Sequence, residues 1–157
     1  MRKIDTFFTE YAQSHQNQTN KNIHWVCVPL IFWSILGFVS LIPSAGFEIS
    51  KAGFVSYITL IGIAVITIFY ARLSLKIASY MLVVLAFFVL TNASLTTYLP
   101  NYAVYIYALV FVVSWVFQFI GHKIEGKKPS FLKDLQFLLI GPIWLLHFIL
   151  QKKNIKY

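Results

Sequence analysis

The stretch YAVYIYALVFVVSWVFQFIG, residues 102–121, is almost entirely apolar or aromatic and contains no charged side chain. A helix needs about 20 apolar residues to cross roughly 30 Å of hydrocarbon, and this stretch has that length. Three further segments qualify, and each is bounded by charge, Pro or Gly: Ile23–Ile42, Ala52–Tyr70 and Ile77–Leu99. The sequence therefore predicts an all-α integral membrane protein with four transmembrane helices.

The composition of the whole chain supports this interpretation. Hydrophobic residues make up 59% of the 157 positions and charged residues 11%, against roughly half and about a quarter in soluble domains. The net charge is +8, but the basic residues form short clusters between apolar runs and do not line one helix, as they do in nucleic-acid binders. We expect membrane lipids, not nucleic acid, as partners. The single Cys27 provides neither a disulfide framework nor a zinc motif.

Residues 1–20 predict an interfacial helix followed by a turn. Asp5 or Thr6 can cap a short helix that lies on the membrane surface. One face of this helix carries Ile4, Phe8, Tyr11 and His15. The polar residues 16–20, QNQTN, predict the turn, with Asn20 or Asn22 as the N-cap of the first span.

The C-terminal part, residues 122–157, combines a basic loop, a short apolar segment and a basic tail. The apolar run Phe137–Leu150 is short for a crossing and is interrupted by Gly141-Pro142. This pattern favours a re-entrant or interfacial helix. We expect one membrane domain over residues 1–157, with the four spans within residues 23–121.

The distribution of Lys and Arg predicts the orientation, because cytoplasmic loops retain these residues. With the N-terminus inside, only Lys51 among the loop residues is external. The cytoplasmic set is Arg2, Lys3, Lys21, Arg72, Lys76, Lys123, Lys127, Lys128 and Lys133. Both termini are then cytoplasmic, in a bacterial inner membrane or the endoplasmic reticulum.

This topology places His15, His24 and His122 at one membrane face, and a re-entrant segment can bring His147 there as well. On the fourth span, Gln118, His122 and Glu125 follow i, i+4, i+7 spacing and share a helix face. Polar groups at the edge of apolar spans are costly and usually functional. Three imidazoles and a carboxylate suit iron, zinc or copper.

Simpler interpretations exist for each polar residue taken alone. A His or Tyr at a membrane interface often serves only as an anchor. His147 lies between WLL and FIL, which are typical of packing or lipid-facing residues. Asn92 and its Thr and Ser neighbours predict interhelical hydrogen bonds. The convergence of three histidines favours a metal site over three anchors.

The candidate site residues fall in two sequence blocks. The first is YAQSHQNQTNKNIHWVCVP (Tyr11–Pro29) and the second is WVFQFIGHKIEGKKPS (Trp115–Ser130). These blocks resemble those of the Mpo-like membrane proteins, and the matching residues are Tyr11, His15, Asn20, His24 and Pro29 in the first block, and Gln118, Gly121, His122, Glu125, Gly126 and Pro129 in the second. The chain departs from the family at Cys27, where glycine is usual, and His147 matches no family histidine.

The resemblance implies an iron(II)-dependent dioxygenase that shortens long-chain 2-hydroxy fatty acids by one carbon, using O2. The reaction RCH(OH)COOH + O2 giving RCOOH + CO2 + H2O balances without another reductant. Our hypothesis assigns His15, His24 and His122 to Fe(2+), and Glu125 to a fourth ligand or to a base beside the ligands. Tyr11, Asn20 and Gln118 would orient ligands or substrate.

Two alternatives from other classes remain open at this point. One is a b-type haem protein with His24 and His122 as axial ligands from facing helices, which a Soret band would reveal. The other is a small membrane transporter or scaffold whose histidines line a polar cavity. Absence of stoichiometric metal would favour that function.

Overall fold

The computed structural model describes residues 2–126 and 137–157. These residues form six α-helices and one β-hairpin. In chain order they are α1 (Lys3–Gln13), α2 (Gln18–Ser40), β1 (Gly46–Ile49), β2 (Gly53–Ser56), α3 (Tyr57–Leu73), α4 (Leu75–Tyr98), α5 (Pro100–Glu125) and α6 (Ile140–Lys152). They fall into a terminal unit, Met1–Phe32 with Val112–Tyr157, and a middle unit, Trp33–Phe111. The single domain over residues 1–157 stays a prediction.

Three of the described helices, α2, α4 and α5, are long and apolar enough to cross a membrane. The apolar helix α3 is shorter, with 17 residues. At 1.5 Å per residue it reaches about 26 Å, which is slightly less than the hydrocarbon thickness. The protein is mostly helical, with apolar helices that are compatible with a membrane protein. A fourth span stays a prediction.

The predicted start of the second span at Ala52 is wrong. Antiparallel strands β1 and β2 pair before the helix, and α3 begins only at Tyr57. Ser56 caps the helix through its Oγ, which accepts a hydrogen bond from the Thr59 N–H at 3.2 Å. At the hairpin turn, Gly53 has a φ of 102°, a conformation that glycine adopts readily. Apolar residues run continuously from strand to helix, so hydropathy alone did not separate them.

Side chains of α2 and α4 join the two helices within the middle unit. The indole Nε1 of Trp33 donates to Thr91 Oγ1 at 2.9 Å, and Asn92 Nδ2 donates to the Trp33 carbonyl at 3.2 Å. The prediction that Asn92 and its neighbours form interhelical hydrogen bonds is confirmed. Gly37 lies against the ring of Tyr107, where a Cβ would collide.

In the terminal unit, α1 begins earlier and ends earlier than predicted. Arg2 is the N-cap, not Asp5 or Thr6, and the Asp5 carboxylate accepts a hydrogen bond from the Arg2 backbone N–H at 3.3 Å. The helix ends at Gln13, so His15 lies in the turn that follows. The predicted apolar face is confirmed, since Ile4, Phe8 and Tyr11 are buried; they are joined by a buried His15.

Two further expectations differ from the structure: the N-cap of α2 and the interruption of the C-terminal helix. Asn17, not Asn20 or Asn22, caps α2, because its Oδ1 accepts from the backbone N–H groups of Thr19 at 2.8 Å and Asn20 at 3.3 Å.

Gly141 and Pro142 belong to the first turn of α6 and do not interrupt it. Proline is tolerated there because first-turn N–H groups have no intrahelical acceptor. Some residues of the sequence analysis lie outside the described residues: Lys127, Lys128, Pro129, Ser130 and Lys133.

Candidate metal centre

Three histidines meet inside the terminal unit. His15 comes from the turn after α1, His24 from the second turn of α2, and His122 from the last turn of α5. All three are buried, and one potential ligand nitrogen from each lies within 4.8 Å of the other two. The ring centroids of His15 and His24 are 4.2 Å apart, and that of His122 lies 5.3 and 5.1 Å from them. This spacing allows one ion to contact all three rings.

Backbone carbonyls orient two of the imidazoles. His15 Nδ1 lies 2.6 Å from the Tyr11 carbonyl oxygen, and His24 Nδ1 lies 2.9 Å from that of Asn20. A carbonyl oxygen only accepts, so each Nδ1 carries the proton and each Nε2 presents a lone pair. Metal-bound histidines are commonly held in this way. Both rings are therefore held with Nε2 deprotonated, which is the form that a metal ligand needs.

The second ring nitrogen of His15, Nε2, is buried and makes no hydrogen bond to the described residues. The residue is 2% exposed. Burial lowers the pKa of His15 to about 4, so the ring is neutral at physiological pH. Neutral imidazole is the form that binds a metal ion.

A small cavity of about 40 Å³ lies beside the three rings. Its lining combines the histidines with polar and apolar side chains: Tyr11, Ser14, His15, His24, Val28, Ile31, Trp115, Gln118, His122, Phe137 and Leu138.

Glu125 lies outside the histidine cluster and holds the turn that carries His15. Its Oε1 accepts from the Gln16 N–H at 2.7 Å, and its Oε2 accepts from the Asn17 N–H at 2.8 Å and from Asn20 Nδ2 at 3.2 Å. The carboxylate thus connects the end of α5 to the start of α2. Its contacts suit a positioning role better than a bond to an ion.

Asn20 completes the same network. It is fully buried, and its Nδ2 also donates to the Ser14 carbonyl at 3.1 Å. Its Oδ1 lies so close to Gly121 that a Cβ at position 121 would collide with it. Glycine is therefore required at 121 for Asn20 to reach this position.

Tyr11 and Gln118 contact the histidines directly. The Tyr11 ring stacks on that of His15, with centroids 4.0 Å apart and an interplanar angle of 5°. Gln118 lies one turn before His122 on α5, and its side chain hydrogen-bonds to His24. The structure thus brings together the predicted site residues, with Glu125 at the edge.

The sequence did not indicate that α6 contributes to the candidate metal centre. Trp144 packs on Tyr11 and His15, with centroid distances of 4.9 and 5.5 Å. Gly141 permits this close packing, because a Cβ there would lie 3.1 Å from the Tyr11 hydroxyl and from a methyl group of Val28. The only available signal was the Gly141-Pro142 pair, which indicates where the helix begins and not what it covers.

His147 lies outside the cluster. Its Nδ1 contacts the Tyr157 hydroxyl, and its ring lies 4.7 Å from that of Phe8. These contacts connect α6 to α1 and to the tail. Its expected exclusion from the metal ligands stays a prediction, although its position agrees with it.

The chain matches a known protein family over nearly its whole length. Neither the curated proteins nor the solved structures gave a match to the chain. The family described as 2-hydroxy-palmitic acid dioxygenase Mpo1-like matches residues 1–153, which includes the three histidines and confirms the resemblance seen in the two sequence blocks. The chain therefore belongs to the Mpo1-like family of 2-hydroxy-palmitic acid dioxygenases.

Proposed function

We propose that this chain is an iron(II)-dependent dioxygenase that shortens long-chain 2-hydroxy fatty acids by one carbon. The observation that carries the proposal is the convergence of three buried histidines on one cavity. The family name supports the class of substrate and reaction. The stoichiometry needs only O2 as oxidant, so no second cofactor is invoked.

The donor set fits iron. Three imidazole nitrogens suit a first-row divalent metal and leave coordination positions open. Iron at such a site would supply the binding and activation of O2 and chelation of the substrate through its 2-hydroxyl and carboxylate. His15 and His24 would present Nε2 to the ion while their Nδ1 protons stay on backbone carbonyls.

The remaining residues shape the site. Glu125 and Asn20 fix the turn that carries His15. Gln118 lines the cavity beside His24 and would orient the substrate there, since both nitrogens of a metal-bound His24 are already engaged. Tyr11, stacked on His15 with Trp144 behind it, excludes water from one side of the cluster. Among the two roles considered for Glu125, we favour positioning over a fourth ligand, because three N–H donors already occupy its oxygens.

We further propose that α2, α3, α4 and α5 all cross the membrane and that both termini are cytoplasmic. Helices α1 and α6 would then lie at the cytoplasmic interface. The Lys and Arg distribution supports this arrangement. The start of α2 and the end of α5 then lie at one membrane face, where a fatty acid carboxylate would remain. A C-terminal reporter that is active only on the outer side would contradict it.

The test of the proposed activity uses purified wild-type protein in detergent. We expect about one iron per chain after anaerobic loading, and O2-dependent conversion of a long-chain 2-hydroxy acid to the acid one carbon shorter. His24→Ala, prepared in parallel, is expected to do neither. Wild-type protein that binds iron but leaves the acid unchanged would contradict the reaction, and one that binds no iron would favour the transporter or scaffold.

The haem alternative receives no support from the arrangement of the histidines. The His15 ring lies against both proposed axial residues, with its centroid 4.2 Å from that of His24 and 5.3 Å from that of His122. A Soret band in the purified protein would nevertheless reverse this conclusion.

A further inference from the structure

The cavity beside the histidines has a polar end and an apolar end. The residues that line it on the two long helices follow one another by about one turn, starting at the histidine layer. They are His24, Val28 and Ile31 on α2, and His122, Gln118 and Trp115 on α5. Along both series the lining changes from polar to apolar.

Both series lead away from the helix ends. His24 lies near the start of α2 and His122 near the end of α5, so Ile31 and Trp115 lie nearer to the middle of two helices that are apolar enough to span a membrane. Val28 and Ile31 are buried, at 6% and 2% exposure. The apolar end, at Ile31 and Trp115, therefore lies farther from these helix ends than the histidines do.

We propose that the first part of the substrate's alkyl chain lies in this apolar end, between Val28, Ile31 and Trp115. This inference rests on the proposed function, and it assigns three residues to chain recognition. A 2-hydroxy acid held by its hydroxyl and carboxylate at the histidine layer must direct its chain elsewhere. The described walls offer two apolar directions, and only the one toward Ile31 and Trp115 continues between two candidate spans.

Lipid tails are as apolar as this pocket, so the pocket gains little affinity from hydrophobic burial. Its effect is positional: it holds the carbon that bears the hydroxyl against the histidines and restricts the bulk admitted next to it. Ile31 and Trp115 are accordingly specificity-determining residues. Filling the pocket should exclude long chains and spare acids whose chain is too short to reach it.

The first test compares Ile31→Phe with Leu30→Phe. Ile31 lines the pocket, whereas Leu30 is the adjacent residue on α2 and is 40% exposed. We expect both variants to retain iron. Ile31→Phe should lose about tenfold or more of its turnover of a long-chain 2-hydroxy acid and a smaller fraction of its turnover of 2-hydroxybutanoate, while Leu30→Phe should match wild type on both acids.

Equal behaviour of the two variants on the long-chain acid would overturn the proposal. If wild-type protein binds iron but turns over neither acid, the proposed function fails instead, and the position of the chain is decided by labelling. If Ile31→Phe does not fold, the same labelling of wild-type protein decides.

The second test uses wild-type protein and a long-chain 2-hydroxy acid with a diazirine in the carboxyl half of its chain. After illumination we expect the label on the segments of α2 and α5 that contain Ile31 and Trp115, and we expect unlabelled 2-hydroxy acid to compete it away. Competed label on Phe137 or Leu138, the other apolar wall, would overturn the proposal. Label only on exposed residues such as Val26 and Phe119, without competition, would overturn it as well.

Discussion

Two groups of polar side chains, one in each unit, make different kinds of contact. In the middle unit, Trp33 and Asn92 donate to acceptors on the facing helix. In the terminal unit, the imidazoles of His15 and His24 use only Nδ1 for backbone carbonyls, and His15 Nε2 finds no partner among the described residues. The first arrangement holds helices together, whereas the second leaves a buried ring nitrogen for the ion proposed above.

The difference has an energetic meaning. A buried polar atom without a partner costs about 1–3 kcal/mol, and among the described residues His15 Nε2 is such an atom beside the cavity. An ion bound only by the folded state would raise the free energy of unfolding, and this gain would increase with the affinity and concentration of the ion. Variants in the two units should therefore separate loss of metal from loss of fold.

The largest effect is expected for the three histidines. His15→Ala, His24→Ala and His122→Ala should each abolish iron binding and turnover, because each removes one of three ligands. His147→Ala should leave iron unchanged and lower turnover only slightly, since His147 lies outside the cluster. Iron per chain and O2-dependent loss of one carbon are the measurements.

Wild-type iron and activity in the first three variants would make the histidines interface anchors. Equal damage in His147→Ala would reveal a further ligand.

A smaller effect is expected for Glu125→Gln. The amide would place an N–H donor against one of the backbone N–H groups of Gln16 and Asn17, and would loosen the turn that carries His15. Changes of this kind around a metal ligand lower affinity or activity about 10–100-fold. We expect turnover to fall more than iron content if Glu125 only positions the turn, and both to fall equally if it is a ligand.

Glu10→Gln is the matched control, because Glu10 is exposed on α1 of the same unit. Turnover in Glu125→Gln that equals this control would remove Glu125 from the site.

A third comparison uses one glycine from each unit. A Cβ at Gly121 would collide with Asn20 Oδ1, whereas one at Gly62 would meet nothing within 4 Å. Gly121→Ala should displace Asn20, release one of the contacts of Glu125 and weaken iron binding about tenfold. Gly62→Ala should leave iron binding unchanged and raise helix stability by about 0.5–1 kcal/mol. Iron titration and thermal unfolding of both variants in detergent test this, and equal iron affinities would contradict the role of Gly121.

The sequence predicted the helices best where one segment alone determines the structure. The third and fourth predicted spans, Ile77–Leu99 and Tyr102–Gly121, lie close to α4 (Leu75–Tyr98) and α5 (Pro100–Glu125), because length and hydropathy decide such helices. The hairpin before α3 was missed, since its strands are apolar and continue directly into the helix. Strand pairing depends on a partner strand, which hydropathy does not show.

In the candidate site, too, some features were predictable from the sequence and individual contacts between distant segments were not. The meeting of His15, His24 and His122 was predictable, because the predicted topology places them at one face and imidazoles suit a metal. The contacts of Asn20 were not predictable, since its position before an apolar run indicates a helix cap and only the family resemblance implied an orienting role. Its actual position depends on Gly121 and Glu125, which are more than 100 residues away in sequence. The packing of Trp144 was hidden for the same reason.

The smallest effect is expected in the middle unit. Asn92→Ala removes the hydrogen bond from Nδ2 to the Trp33 carbonyl, and interhelical hydrogen bonds in membrane proteins contribute on average about 0.6 kcal/mol. We expect a slightly lower unfolding temperature in detergent, with iron per chain and turnover unchanged, because Asn92 belongs to the other compact unit. Thr91→Val, which removes the acceptor of the Trp33 indole, should behave similarly. If Asn92→Ala instead loses iron while its unfolding temperature stays at the wild-type value, the polar groups of the middle unit would act on the metal centre and the separation of the two units would be wrong.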